Sequence, residues 1–259
     1  MQCALLNDTS YIRVLGVGDW TAHAASGPKS AARDVYLFGP QTVRMPVSVR
    51  GPVLAAGFGI RPGAWAAFAK TRSGALLNDF RPLSRYGLDP RPFSEAISGG
   101  ADPTLCLDRL EQAFANLLEQ LGWPQPEAVC DGFDRASLID PDFSIADFAR
   151  RHAIGQHRLA RLVRLGFGLT PKGVLRRCRA LDLGAQLLGV GDPDEAEDVI
   201  LRYFDQSHII REFRHFFGMT PRQFRIADQP VLRLSLESRQ ARRREAIALT
   251  GLPKGPAGD

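Results

Sequence analysis

Four arginines and a histidine recur at spacings suited to gripping anionic groups. His157, Arg161 and Arg164 stand four and three residues apart, and Ser207, Arg211 and Arg214 repeat that spacing fifty residues later. On a helix, positions i, i+4 and i+7 share one face. A guanidinium there can bond O6 and N7 of guanine together, or hold a phosphate. The surrounding composition favours the same chemistry. Residues 148–181 hold nine Arg or Lys and not one Asp or Glu, while the acids collect on the flanks, at 131–147 and 182–198. Exposed helix faces usually mix signs, because opposite charges four residues apart stabilise each other. A stretch without carboxylates is better suited to meeting phosphates, which each carboxylate would repel.

The elements that must position these residues also repeat. Phe167-Gly168-Leu169-Thr170-Pro171 returns as Phe217-Gly218-Met219-Thr220-Pro221, and at the same offset of fifty Gln156 matches Gln206, Leu159 matches Ile209 and Val163 matches Phe213. Polar and apolar positions keep one register, so two copies of one supersecondary unit stand in tandem. Each copy reads as helix, turn, helix. In the first, Ser144 caps a helix from Ile145 to about His152, Gly155 supplies the turn, and a second helix runs from Gln156 to about Gly166. In the second, Asp192-Pro193 with Glu195 opens a helix to about Arg202, and Asp205 caps the next. Between the copies Thr170 caps and Pro171 opens a long helix to about Leu188, with Arg176, Arg177 and Arg179 largely off its apolar stripe. Such a strut would let the two second helices enter major-groove segments about one turn, or ~34 Å, apart.

The run from Phe143 to about Phe224 resembles the DNA-binding domain of AraC/XylS-type transcriptional regulators. The resemblance is carried by Tyr203-Phe204-Asp205-Gln206-Ser207-His208, then Arg211-Glu212-Phe213, then Phe217-Gly218-Met219-Thr220-Pro221-Arg222-Gln223-Phe224. It implies seven helices, with two helix-turn-helix units joined by the long helix. Carried over by position, it places Gln156, His157, Ala160, Arg161 and Arg164 of the first recognition helix, and Gln206, Ser207, Ile210, Arg211 and Arg214 of the second, against DNA. Arg161 and Arg211 are the candidates for base readout, Arg164 and Arg214 for phosphate, and His208 is expected to point inward. The sequence departs from the family at Arg202, where glycine is usual before the Tyr-Phe-Asp stretch. A required positive φ there would cost about 1 kcal/mol.

The remaining chain is read from composition and pattern. At 259 residues, 44% hydrophobic, 24% charged and a net charge of +5, it excludes a disordered or collagen-like protein. The apolar run 53–60 is far shorter than the ~20 residues of a membrane span, and the amino terminus lacks a basic start and apolar stretch. A cytoplasmic protein is expected. β-Prone pieces at 11–17, 35–38, 42–49 and 53–60 precede an apolar helical stripe at 104–121, predicting a small barrel or curled sheet followed by helices. Gly39-Pro40-Gln41-Thr42 and residues 57–64 resemble the amino-terminal sensory domain of one subgroup of these regulators.

The fold class is thus α+β, with a sensing or dimerising domain at 1–130, a DNA-binding domain at 131–228 and a basic tail at 229–259. Trp20, Trp65, Phe58 and Phe68 read as core before pocket lining. Cys3, Cys106, Cys130 and Cys178 are too far apart for a C-x-x-C pair and read as buried thiols. His23 is the only histidine before His152, and no nucleophile elbow or dinucleotide fingerprint is complete, so no enzyme, metal or other cofactor is expected. Expected partners are double-stranded DNA, a small-molecule effector, RNA polymerase if the chain activates, and a second copy of the chain as homodimer. The alternative is an adaptor whose basic helices bind an acidic protein.

Overall fold

The computed structural model describes residues 1–69, 73–98, 102–193, 199 and 207–250. An antiparallel sheet fills the amino-terminal part, built from β1 (Gln2–Leu5), β2 (Ser10–Ala24), β3 (Gly27–Ala31), β4 (Asp34–Phe38), β5 (Met45–Ile60) and β6 (Phe80–Pro82). Its order is β1-β5-β2-β4-β6, with β3 paired to the far end of β2. Alternation along β2 sends Ile12 and Val14 to one face and Tyr11 and Leu15 to the other. The first face meets α1 (Trp65–Ala69), α2 (Arg91–Ala96) and α3 (Pro103–Gln120), whose Trp65, Phe68, Phe93, Leu110 and Leu117 complete one core. The second face encloses Trp20, Tyr36, Phe38, Val47 and Val49. Trp20, Trp65 and Phe68 are core residues, and Phe58 stacks on Phe114 with ring centroids 4.7 Å apart. The strands expected at 42–49 and 53–60 are one strand. Its register to β2 steps from Asp19↔Arg50 to Val17↔Leu54, so residues 51–53 form a bulge. Pro52, with no N–H to give a ladder, falls within that step.

The helical part comprises α4 (Ala128–Ile139), α5 (Ile145–Arg151), α6 (Gln156–Phe167), α7 (Pro171–Leu187), α8 (Ser207–Phe217), α9 (Pro221–Ile226) and α10 (Pro230–Thr250). α7 is the strut. Phe133, Phe148, Leu159, Val163 and Phe167 gather against its Val174, Leu175 and Cys178. Phe213, Phe216, Phe217 and Phe224 gather against its Ala180, Leu181 and Leu183. The helix expected at 193–202 lies outside the described residues except for Pro193 and Val199, and so do the Asp205 cap and Arg202. Within the basic tail, α10 runs back across the molecule, with Val231 on the sheet core and Leu232 and Leu236 in the core of the second unit.

Buried charges tie the parts together. Asp8, in the β1–β2 loop, meets Arg242 at 3.1 Å and Arg239 at 3.4 Å, and its backbone carbonyl accepts from Arg177 at 2.6 Å. Arg239 also donates to Asp182 of α7, and Arg242 to both oxygens of Asp134 of α4, at 3.0 and 2.9 Å. Burial alone would raise the Asp8 carboxyl, but Arg242, Arg239 and Arg177 outweigh it and hold the group below its ordinary value of 3.8. Asp134 moves the opposite way: burial raises it, and Arg242 does not fully offset this against the neighbouring Asp8.

The pH dependence follows in sign. The stabilisation from Asp8 is present above the unfolded carboxylate value and is lost as pH falls through the lower folded one. Asp134 takes up its proton first in the folded state, so falling pH adds stability through that group. Asp8→Asn is therefore expected to cost more at neutral pH than Asp134→Asn, by about 1–3 kcal/mol, with the gap closing as pH falls below the ordinary carboxylate value. Thermal melts of the two variants across that range check it; an equal loss in both would contradict the assignment.

Candidate nucleic-acid interface

The first candidate unit is set by local chemistry. The Ser144 hydroxyl accepts from the Asp147 N–H at 3.2 Å and starts α5. The turn that follows differs from the sequence expectation. Gly155 is an extended N-cap with φ −67° and ψ 144°, and the left-handed residue is Ala153 at φ 49°. A non-glycine residue in that conformation costs about 1–2 kcal/mol. α6 then buries Leu159, Val163 and Phe167, and ends where Gly168, at φ 72°, returns its N–H to the Arg164 carbonyl. Thr170 caps α7 by accepting from the Gly173 N–H at 3.1 Å. In the second unit α8 buries Phe213, Phe216 and Phe217, and Thr220 with Gln223 forms a capping box that starts α9.

These cores decide what faces outward. On α6, Gln156, His157, Arg161 and Arg164 are exposed and Ala160 is half-buried. On α8, Ile210, Arg211 and Arg214 are exposed; Ser207 opens the helix, its side chain and that of His208 lie outside the described residues, and Gln206 lies outside them entirely. Arg158, Arg161, Arg164 and Arg214 have no hydrogen-bond or ion-pair partner among the described residues. Arg158 was not singled out by the spacing, although it stands beside His157 at the start of α6 and is exposed. The two exposed faces are thus cationic, and each is fixed by an apolar face behind it.

The acid-free stretch does not act as one surface. Arg177 is fully buried and gives its guanidinium to the Gln41 and Asp8 carbonyls, at 3.1 and 2.6 Å. Arg176 pairs with Glu212 of α8 at 2.6 Å, and Arg179 with Asp142 at 3.1 Å. Three of the nine cations therefore hold the strut to its neighbours, by acids and carbonyls distant in sequence.

Both candidate recognition helices rest their carboxy-terminal ends on the sheet domain. A Cβ at Gly166 would come within 2.8 Å of the Pro62 carbonyl oxygen, so only glycine allows α6 this close. At the end of α8, the Arg44 N–H donates to the Phe216 carbonyl at 2.7 Å and its guanidinium to the Phe217 carbonyl at 3.4 Å. A cation at that end also complements the helix dipole. The four cysteines are free and buried. Burial pushes the Cys130 thiol up to about 12, and it donates to the Leu162 carbonyl at 3.2 Å, a structural role beneath α6.

Residues 148–227 match the family described as a helix-turn-helix domain, and the match spans both outward faces and the strut between them. This part of the chain is a helix-turn-helix domain. Over 87–90% of its length the chain shares its fold with ToxT from Vibrio cholerae. One ToxT structure is 7% identical with a TM-score of 0.51, covering 87% of this chain and 93% of that one. A second, of wild-type ToxT from strain SCE256 with an unsaturated fatty acid bound, is 10% identical with a TM-score of 0.50, covering 90% and 93%. No curated protein matches the chain. The helix-turn-helix domain and the sheet domain before it together carry the fold of those two ToxT structures. Among the described residues, no helix is long and apolar enough to cross a membrane.

Proposed function

We propose that the chain is a cytoplasmic, sequence-specific transcriptional regulator that reads double-stranded DNA with α6 and α8. Residues 131–228 bind the duplex, residues 1–130 take up a signal or join two copies, and the tail from 229 fastens the two through α10. The observation that carries this reading is the pair of exposed cationic helix faces, in which Arg158, Arg161 and Arg164 have no acidic partner among the described residues and stand beside a cored helix-turn-helix. Arg161 and Arg211 are assigned to base edges, Arg164 and Arg214 to phosphates, with Gln156, His157, Ala160, Gln206, Ser207 and Ile210 completing the contact faces. A small apolar effector in the sheet domain is supported by the fatty acid held in the ToxT structure. RNA polymerase is the further partner if the regulator activates.

The test is binding to a duplex selected from a random-sequence pool, against a scrambled duplex of equal length. With six phosphates contacted, affinity is expected to fall by about a thousandfold between 50 and 200 mM salt. The selected duplex is expected to keep its advantage throughout, as two protected segments about one turn apart. Equal affinity for both duplexes would leave only a nonspecific cationic surface, as an adaptor for acidic partners would present.

A further inference from the structure

The sheet has one long edge without a strand partner among the described residues. β5 pairs with β2 along nearly its whole length, but its other side meets β1 only from Met45 to Ser48, and the Val49 N–H goes to the Met1 carbonyl. From residue 50 to residue 60 that outer side has no backbone partner among the described residues. Residues 51–60 carry no charge, and Val53, Leu54, Ala55, Gly57 and Gly59 are exposed. The strand is nonetheless anchored: Ala56 and Phe58 pack into the core beneath, Phe58 against Phe114. Edges of this kind are normally blunted by lysine, proline, a bulge or a covering element. Here Arg50, Pro52 and the bulge stand at one end and Arg61 at the other, leaving residues 54–60 bare.

We propose that this edge of β5 is a homodimer interface, formed by antiparallel pairing with β5 of a second copy about a two-fold axis. Three features favour a second copy over another partner. Although the chain carries a net charge of +5, none of it lies on residues 51–60, so two copies meet there without like-charge repulsion. Ala55, Gly57 and Gly59 make one side of the strand flat, which admits an identical backbone and offers no pocket to select the side chains of a foreign peptide. Antiparallel self-pairing satisfies both edges at once and closes the assembly, whereas any other strand would leave its own edge open. The inference rests on the reading of residues 1–130 as a dimerising domain and names the surface.

The test uses the full chain. Because all four native cysteines are buried, Ala55→Cys and Gly59→Cys each introduce the one exposed thiol. A Cβ at residue 59 would lie 3.5 Å from the Tyr11 ring, an ordinary contact. Mild oxidation of one variant alone, or of their equimolar mixture, is expected to give a disulfide-linked dimer; residue 55 meets 55, 59 meets 59 and 55 meets 59 in three different registers, so the combination that links reads the register of this glycine-rich edge. Leu107→Cys, on the exposed side of α3, is expected to stay unlinked. In sedimentation the parent is expected to dimerise, and Ala55→Lys to weaken that association roughly tenfold or more while leaving the melting temperature unchanged. A dimer that links through residue 107 and ignores Ala55→Lys would overturn this surface but leave the dimerising reading intact. A monomer at every concentration would overturn both, and duplex binding, measured separately, would decide the regulator reading.

Discussion

Replacing Arg239 with alanine is expected to cost about 3–5 kcal/mol of folding stability, a large share of the ~5–15 kcal/mol a protein of this kind holds. The side chain is 1% exposed and stands between Asp8 of the sheet domain and Asp182 of the strut. Burial alone would lower its guanidinium, but Asp182 and Asp8 overcome that and hold the charge in place. Alanine removes a cation from the middle of the cluster and leaves Asp8 and Asp182, both buried, with one counter-charge fewer between them. Uncompensated buried charge is the costly outcome; a buried pair replaced as a whole by apolar residues of similar volume is often tolerated. Arg239→Met with Asp182→Leu is therefore expected to recover part of the loss, and Arg244→Ala, on the exposed side of α10, to change stability by less than about 0.5 kcal/mol. Chemical denaturation of the set measures this. If Arg239→Ala unfolds like Arg244→Ala, the cluster does not join the domains.

That cluster also marks where the sequence stops being informative. Arg176, Arg177 and Arg179 look alike on the strut, and helical periodicity places all three largely off its apolar stripe, yet Arg177 is buried. Which of them is buried depends on Asp8 and Gln41, more than a hundred residues earlier, and no local pattern carries that. The same limit applies to α10. Its arginines read as a basic tail because their partners, Asp8, Asp134 and the Leu138 carbonyl, come from other elements. Helix ends, in contrast, are set by neighbours within four residues. Ser144 and Thr170 act as caps where spacing put them, and the boundaries of α5, α6 and α7 agree within a residue.

In the sheet domain the pattern was weaker for a physical reason. β3 follows a two-residue turn at Ala25 and Ser26, with positive φ taken by Gly27 just after it, so the usual Asn-Gly or Asp-Gly signal is missing. β6 is three residues long and has no period to read. Gly51 and Pro52 looked like a break between strands because a bulge uses the same residues as a turn. For the candidate interface, the repeat of fifty residues located both helices and their outward stripes, since the apolar half of each unit must keep its register to form a core. It did not reveal that Ala153 bears the left-handed turn, because alanine gives no sign of it.

Arg161→Ala is expected to lower discrimination between the selected and scrambled duplexes by about 1–3 kcal/mol, a factor of roughly 5 to 150. Arg161 is exposed at the middle of the outward face of α6, with His157 one turn before it and Arg164 one turn after. A recognition helix enters the major groove with its first turns nearest the bases, so Arg161 can reach a guanine edge while Arg164, in the last turn, is left to the backbone. No described residue competes for the Arg161 guanidinium, so its loss is expected to leave the melting temperature unchanged and to appear only in binding. Arg164→Ala is expected to weaken both duplexes alike and to reduce the salt slope by about one. Arg161→Lys separates charge from geometry, because an ammonium keeps the attraction to phosphate but loses the planar fork that matches guanine. If Arg161→Ala weakens both duplexes equally and Arg161→Lys restores the parent, Arg161 is a phosphate contact and base reading on α6 must fall to Gln156 or His157.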